Sequence, residues 1–124
     1  MKINIGIRIL FGIALITVGS DKFLEFIPHG HEMTENLTNA FMGLIANKFI
    51  LPTVGIVEIL VGISLLLNKF TTLSLLAMVP VSYGIVAFHL SVDIPGITLG
   101  AVVVILNAYL LIQKKDELII LLKP

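Results

Sequence analysis

Glu58 stands in the middle of the stretch 49–67, whose other residues are almost all apolar. A carboxylate at bilayer depth costs about 2.5–3.5 kcal/mol on insertion scales. It therefore needs a partner, a cavity or a proton. Few other residues in the apolar stretches are able to do chemistry: His89 near the end of one, Asn107 half-way along another, and Asp21 with Lys22 closing the first. At 1.5 Å per residue, Glu58 lies about 12 Å in from the start of its helix. The five residues Asp21, Lys22, Glu58, His89 and Asn107 are expected to line one half of a helical bundle, as a small polar pocket that opens outward. Glu58 is then a proton acceptor or hydrogen-bond partner, and His89 a second titratable group. Such a pair suits proton-coupled chemistry, or a quinone headgroup whose two carbonyls need donors from opposite sides. The same Glu58, paired with Lys22 or His89, also suits a plain bridge between helices that fixes their packing. Helix rotation decides between these readings, and it is not written in the sequence.

The elements that carry these residues follow from hydropathy. The chain has 124 residues, a mean hydropathy of +1.08, 57% hydrophobic residues and 13% charged ones. Soluble domains average about 25% charged residues, so this is an integral membrane protein. Its length suits one domain, 1–124. Four membrane-spanning helices are expected at 3–20, 49–67, 70–90 and 96–112, each near the ~20 residues a crossing needs. The first resembles a secretory signal, but Val18-Gly19-Ser20-Asp21 is a poor cleavage site, so it reads as a retained helix. Continuous apolar runs without alternation exclude a β-barrel. The fold class is all-α: a four-helix transmembrane bundle with a short outer amphipathic helix between the first and second spans.

The connections refine this. Asn68-Lys69 is so short that the second and third helices form an antiparallel hairpin. Pro95 suits the opening of the fourth helix. Pro80 predicts a kink in the third. In the long first connection, Thr34 caps a helix with Leu37, Phe41, Leu44 and Ile45 on one stripe, lying on the membrane surface or over the bundle mouth. The tail 114–124 is too short to span, and reads as an interfacial helix or the frayed end of the fourth. Lys2, Arg8, Lys69, Lys114, Lys115 and Lys123 fall on one side, against Lys22 and Lys48 on the other. This bias places both termini in the cytoplasm. Arg8, on that inner side, is expected to snorkel to lipid phosphates, with a partner inside the bundle as the alternative. Gly6, Gly12 and Gly19, with Ala14, stud the first helix, Gly55 and Gly62 lie seven apart on one face of the second, and Gly96 and Gly100 form a small-xxx-small pair at the start of the fourth; these allow close helix approach.

Several function classes are excluded. With no cysteine, there is no thiolate catalysis and no Cys-ligated zinc or cluster. Zero net charge leaves no electrostatic footprint for nucleic acid. His29-Gly30-His31-Glu32 offers three ligand types, but not at a zinc spacing, so no metal is expected. Haem held by two histidines would need a second histidine within a span beside His89, and there is none.

Gly19-Ser20-Asp21-Lys22-Phe23, followed by Phe26-Ile27-Pro28, resembles the opening of DoxX-family membrane proteins. Val57-Glu58-Ile59-Leu60-Val61-Gly62, Val79-Pro80-Val81, Phe88-His89-Leu90 and Asn107-Ala108-Tyr109-Leu110 continue the likeness in order along essentially the whole chain. The resemblance implies a four-helix bundle in the bacterial inner membrane with a redox-associated role, because the family takes its name from a subunit of a thiosulfate:quinone oxidoreductase. Lys22, Glu58, His89 and Asn107 match the family-like polar positions. The expected function is a subunit that binds a quinone or other small lipophilic ligand. The alternative is a non-catalytic membrane scaffold or assembly factor. In either case the partners are the lipid bilayer and a protein, in a membrane complex or a homo-oligomer.

Overall fold

The computed structural model describes residues 4–28 and 32–124. His29 and His31 of the weighed metal cluster lie outside the described residues. The described residues form six α-helices: α1 (Ile5–Leu24), α2 (Glu35–Ala46), α3 (Ile50–Leu67), α4 (Thr71–Val92), α5 (Ile97–Gln113) and α6 (Lys115–Leu122). A single 3-10 turn, Ile94–Gly96, leads into α5.

Local chemistry sets the ends. The Asn4 side chain accepts from the Ile7 N–H at 3.0 Å and opens α1. The Thr34 hydroxyl accepts from the Leu37 N–H at 3.1 Å and opens α2. Asn68 closes α3 in the left-handed region at φ 53, a conformation that asparagine tolerates well. Helix α4 continues through Pro80, whose missing N–H leaves the Leu76 carbonyl without its helical donor. Pro95 lies inside the 3-10 turn, just ahead of α5.

Among the described residues, three stretches are long and apolar enough to cross a membrane: Ile50–Leu67, Thr71–Val92 and Ile94–Gln113. Helix α1 matches them in length but carries Arg8, Asp21 and Lys22. Length and composition therefore mark three spans rather than the four expected. Helix α1 also runs a turn beyond the expected end at residue 20, so Asp21 and Lys22 lie within its last turn. The tail forms its own helix, α6, after a break at Lys114.

Polarity is inverted relative to a soluble protein. Arg8, Glu58, Ser82 and Asn107 are buried, whereas Leu10, Leu60, Leu73, Tyr83 and Ile105 are exposed. An apolar exterior around a polar interior is what a bilayer as solvent selects. The packed core is Phe11 and Leu15 of α1, Val61 and Leu65 of α3, Leu75 and Met78 of α4, and Val103 and Leu110 of α5.

The tightest crossing is α1 on α3. A Cβ on Gly12 would lie 3.0 Å from the Gly62 carbonyl oxygen, and one on Gly19 would lie 2.8 Å from the Gly55 oxygen. The partner numbers fall as the α1 numbers rise, so the helices are antiparallel and meet backbone to backbone at both levels. Arg8 also joins them. Its Nη1 donates to the Leu65 carbonyl at 2.6 Å, at the C-terminal end of α3, where a cation is favoured. Snorkelling is thus replaced by an interior contact, because α1 turns this side chain toward the last carbonyls of α3.

The far end of the bundle is tied by side chains. Gln113 of α5 accepts from the Asn4 N–H at 2.7 Å. Glu117 of α6 accepts from the Thr72 hydroxyl and pairs with Lys114. These contacts, the Thr72 hydrogen bond first, hold the Glu117 carboxyl below its usual range. The contact therefore weakens as pH falls through that lowered value.

Candidate functional site

The glycine crossing places two charges together. Lys22 lies three residues beyond Gly19 and Glu58 three beyond Gly55, so each charge sits on the face of its glycine. Side chains on a helix lean toward its N-terminus. Because α1 and α3 are antiparallel, Lys22 and Glu58 lean toward each other. Lys22 Nζ lies 2.7 Å from Glu58 Oε2 and 3.3 Å from the Val18 carbonyl oxygen. Glu58 is only 1% exposed. Its contact with Lys22 is an ion pair by distance rather than an aligned hydrogen bond, and Oε1 has no hydrogen-bond partner. A buried carboxylate oxygen without a donor is costly to keep.

Glu58 borders a cavity of about 590 Å³, within the usual range for small-molecule sites. Most of the wall is apolar, from Val54 of α3, Val81 and Ile85 of α4 and Val103 of α5. Helix α2 adds Leu37, Phe41 and Leu44. Its stripe thus faces the bundle as the periodicity predicts, except that Ile45 falls at the edge and is exposed. The polar groups in the wall are Lys22, Glu58, His89 and Asp93.

Two residues of α4 in the wall carry little side chain. Pro80 and Gly84 both border the cavity, and a Cβ on Gly84 would meet nothing within 4 Å. The α3–α4 hairpin sets the level of the floor. Ser64 and Ser74 face each other across it, with Oγ atoms 2.6 Å apart. Stepping six residues back along α3 and six forward along α4 brings Glu58 level with Pro80. His89 is nine residues further along α4, about 13 Å higher. The cavity thus has a polar group at its floor and another toward its mouth.

At the mouth, His89 Nδ1 lies 3.0 Å from Asp93 Oδ2. Asp93 is buried and was not foreseen as a site residue. The signal was present as an i, i+4 histidine–aspartate spacing at the end of a helix, a spacing that brings side chains together.

Of the residues expected to share the pocket, Lys22, Glu58 and His89 are brought to one cavity. Asp21 and Asn107 are placed elsewhere. Asp21 Oδ1 accepts from the Ile27 N–H at 2.7 Å and shapes the chain just after α1. Asn107 lies one turn beneath Val103, buried, and its Nδ2 donates to the Leu75 carbonyl at 3.2 Å. It joins α5 to α4 below the cavity floor.

The comparisons with known proteins agree with this architecture at the level of family. The family model for DoxX matches residues 4–91, well over half of the 124 residues. Lys22, Glu58 and His89 fall within that stretch, and Asp93 and Asn107 just beyond it. No curated protein and no solved structure matches the chain.

Proposed function

This chain belongs to the DoxX family, and we propose that it binds a quinone or another small lipophilic molecule in the cavity between α1, α3, α4 and α5, as a redox-associated subunit of the bacterial inner membrane. The observation that carries this reading is the cavity of about 590 Å³, apolar in its walls and polar at Lys22, Glu58, His89 and Asp93. Such a site suits a hydrophobic body with a polar head. In this reading Lys22, Glu58 and His89 contact the head, and Asp93 orients His89. Asp21 and Asn107 hold the frame around them.

The test is the content of the purified protein. Extracts of the detergent-solubilised chain should contain a quinone at near-stoichiometric ratio by mass spectrometry. Gly84 borders the cavity and a Cβ there would meet nothing within 4 Å, so Gly84→Leu starts a side chain in open space. It is expected to lower ligand occupancy at least tenfold while shifting the Tm little. Equal occupancy in this variant overturns the reading.

We further propose that 1–124 forms one domain crossing the membrane four times. Helix α1 then spans with its charges turned inward, and both termini are cytoplasmic. Arg8, Lys69, Lys114, Lys115 and Lys123 lie toward one end of the bundle, which supports this orientation. The cavity then opens toward the outer face, beneath α2. Single cysteines at Glu32 and Lys115 should label oppositely in sealed membranes, with Glu32→Cys reacting from outside. Labelling of Lys115→Cys from outside would contradict the topology.

A scaffold role is the second reading. The direct Lys22–Glu58 bridge between α1 and α3 favours it, since such a pair specifies helix packing without any ligand. Recovery of a protein partner with no small molecule is the result that supports it.

A further inference from the structure

The balance of donors and acceptors around the cavity points to the form of ligand it prefers. An ammonium has three N–H bonds. Those of Lys22 face Glu58 Oε2 and the Val18 carbonyl, which leaves one. Glu58 borders the cavity, and its Oε1 is buried and accepts from nothing. In neutral histidine the ring nitrogen that carries the proton is set by the bond the other nitrogen makes. The Asp93 carboxylate beside Nδ1 places the proton there. His89 Nε2 is then an acceptor. Among the described residues, and apart from Asp93, which holds the ring, the polar side chains of the wall offer Glu58 Oε1 at the floor and His89 Nε2 toward the mouth as acceptors, against one spare donor on Lys22.

We propose that the site selects an uncharged amphiphile with hydroxyl donors at opposite ends of its head, which is the reduced hydroquinone form rather than the oxidised quinone. This rests on the proposed ligand class and adds its redox state. A quinone carries carbonyl acceptors only. It leaves Glu58 Oε1 unsatisfied and places one oxygen against Nε2. A hydroquinone donates to both. Lys22 and Glu58 compensate each other, so the floor has no spare charge with which to hold an ionised head. Asp93 is a positioning residue here, because it acts through the His89 ring.

The experiment is equilibrium dialysis of the full chain in detergent under anaerobic conditions, with duroquinol and duroquinone as probes. Gly84→Leu protein serves as the blank for partitioning into micelles. Wild type is expected to bind duroquinol at least tenfold more tightly than duroquinone, the scale of one hydrogen bond to a charged acceptor. In Glu58→Gln the amide can donate as well as accept, and the preference should fall to within threefold. In Asp93→Asn the amide can donate to Nδ1, which moves the ring proton to Nε2 and turns an acceptor into a donor. Duroquinone should then bind more tightly than to wild type, a gain that loss of packing does not produce. Asp93→Asn carries the test even where Glu58→Gln fails to fold. Equal binding of the two probes by wild type, or tighter binding of duroquinone, overturns the inference and leaves the proposed function standing. Binding of neither above the blank overturns both.

Discussion

Lys22→Met is expected to destabilise the bundle by about 3–5 kcal/mol, the cost of leaving one partner of a buried ion pair uncompensated. The loss arises from Glu58. Its carboxylate is 1% exposed and Lys22 Nζ is the cation beside it, at 2.7 Å. Unfolding by SDS titration in mixed micelles, or thermal unfolding in detergent, measures it. The double variant Lys22→Met/Glu58→Leu should recover most of the loss, because matched apolar side chains often replace a buried pair at little cost. Ligand binding should not return with stability, since the double variant keeps the packing and removes the polar floor of the cavity. That split between fold and occupancy separates the ligand site from the scaffold reading. A single Lys22→Met variant as stable as wild type would show that the pair does not hold α1 to α3.

The second large effect is expected from one methyl group. In Gly62→Ala the added Cβ would lie 2.6 Å from Ile16 Cγ1 and 2.7 Å from the Gly12 carbonyl oxygen. Ile16 can shift its side chain, but the Gly12 carbonyl is backbone, so the two helices must separate. Overpacking of this kind costs about 3 kcal/mol, well above the gain of about 1 kcal/mol in helix propensity from glycine to alanine. Gly43→Ala is the control. It lies in α2 with nothing within 4 Å of a new Cβ, so propensity alone acts and the variant should be neutral or slightly stabilised. The same unfolding measurement compares them. Equal stability of the two variants would show that α1 and α3 do not meet backbone to backbone. Because the same crossing sets Lys22 against Glu58, Gly62→Ala should also lower ligand occupancy, although it borders neither charge.

The sequence by itself determined the elements. Continuous apolar runs, the short turn at Asn68-Lys69 and the Thr34 cap are local or one-dimensional signals, and the helices start and stop within a few residues of them. The polar residues that matter were also visible, because a carboxylate or an imidazole in an apolar run stands out by cost alone. The family likeness was also legible in the sequence, and the DoxX family model matches residues 4–91.

Only the tertiary structure decided which of these residues meet. Hydropathy gives depth in a membrane, and depth placed Asn107 and Asp21 with Glu58. Rotation about each helix axis is set by side-chain packing from all neighbours at once, and it turned Arg8 to the Leu65 carbonyl, while the level of α5 against α4 set Asn107 beneath the cavity, on the Leu75 carbonyl. The two glycine contacts fixed the register of α1 on α3 and so brought Lys22 to Glu58. Asp93 entered the site because the turn of α4 folds it back on His89. The cavity itself had no sequence signal, since its wall is assembled from residues of five helices. An absence of atoms between helices is a property of their packing, and no single stretch of chain encodes it.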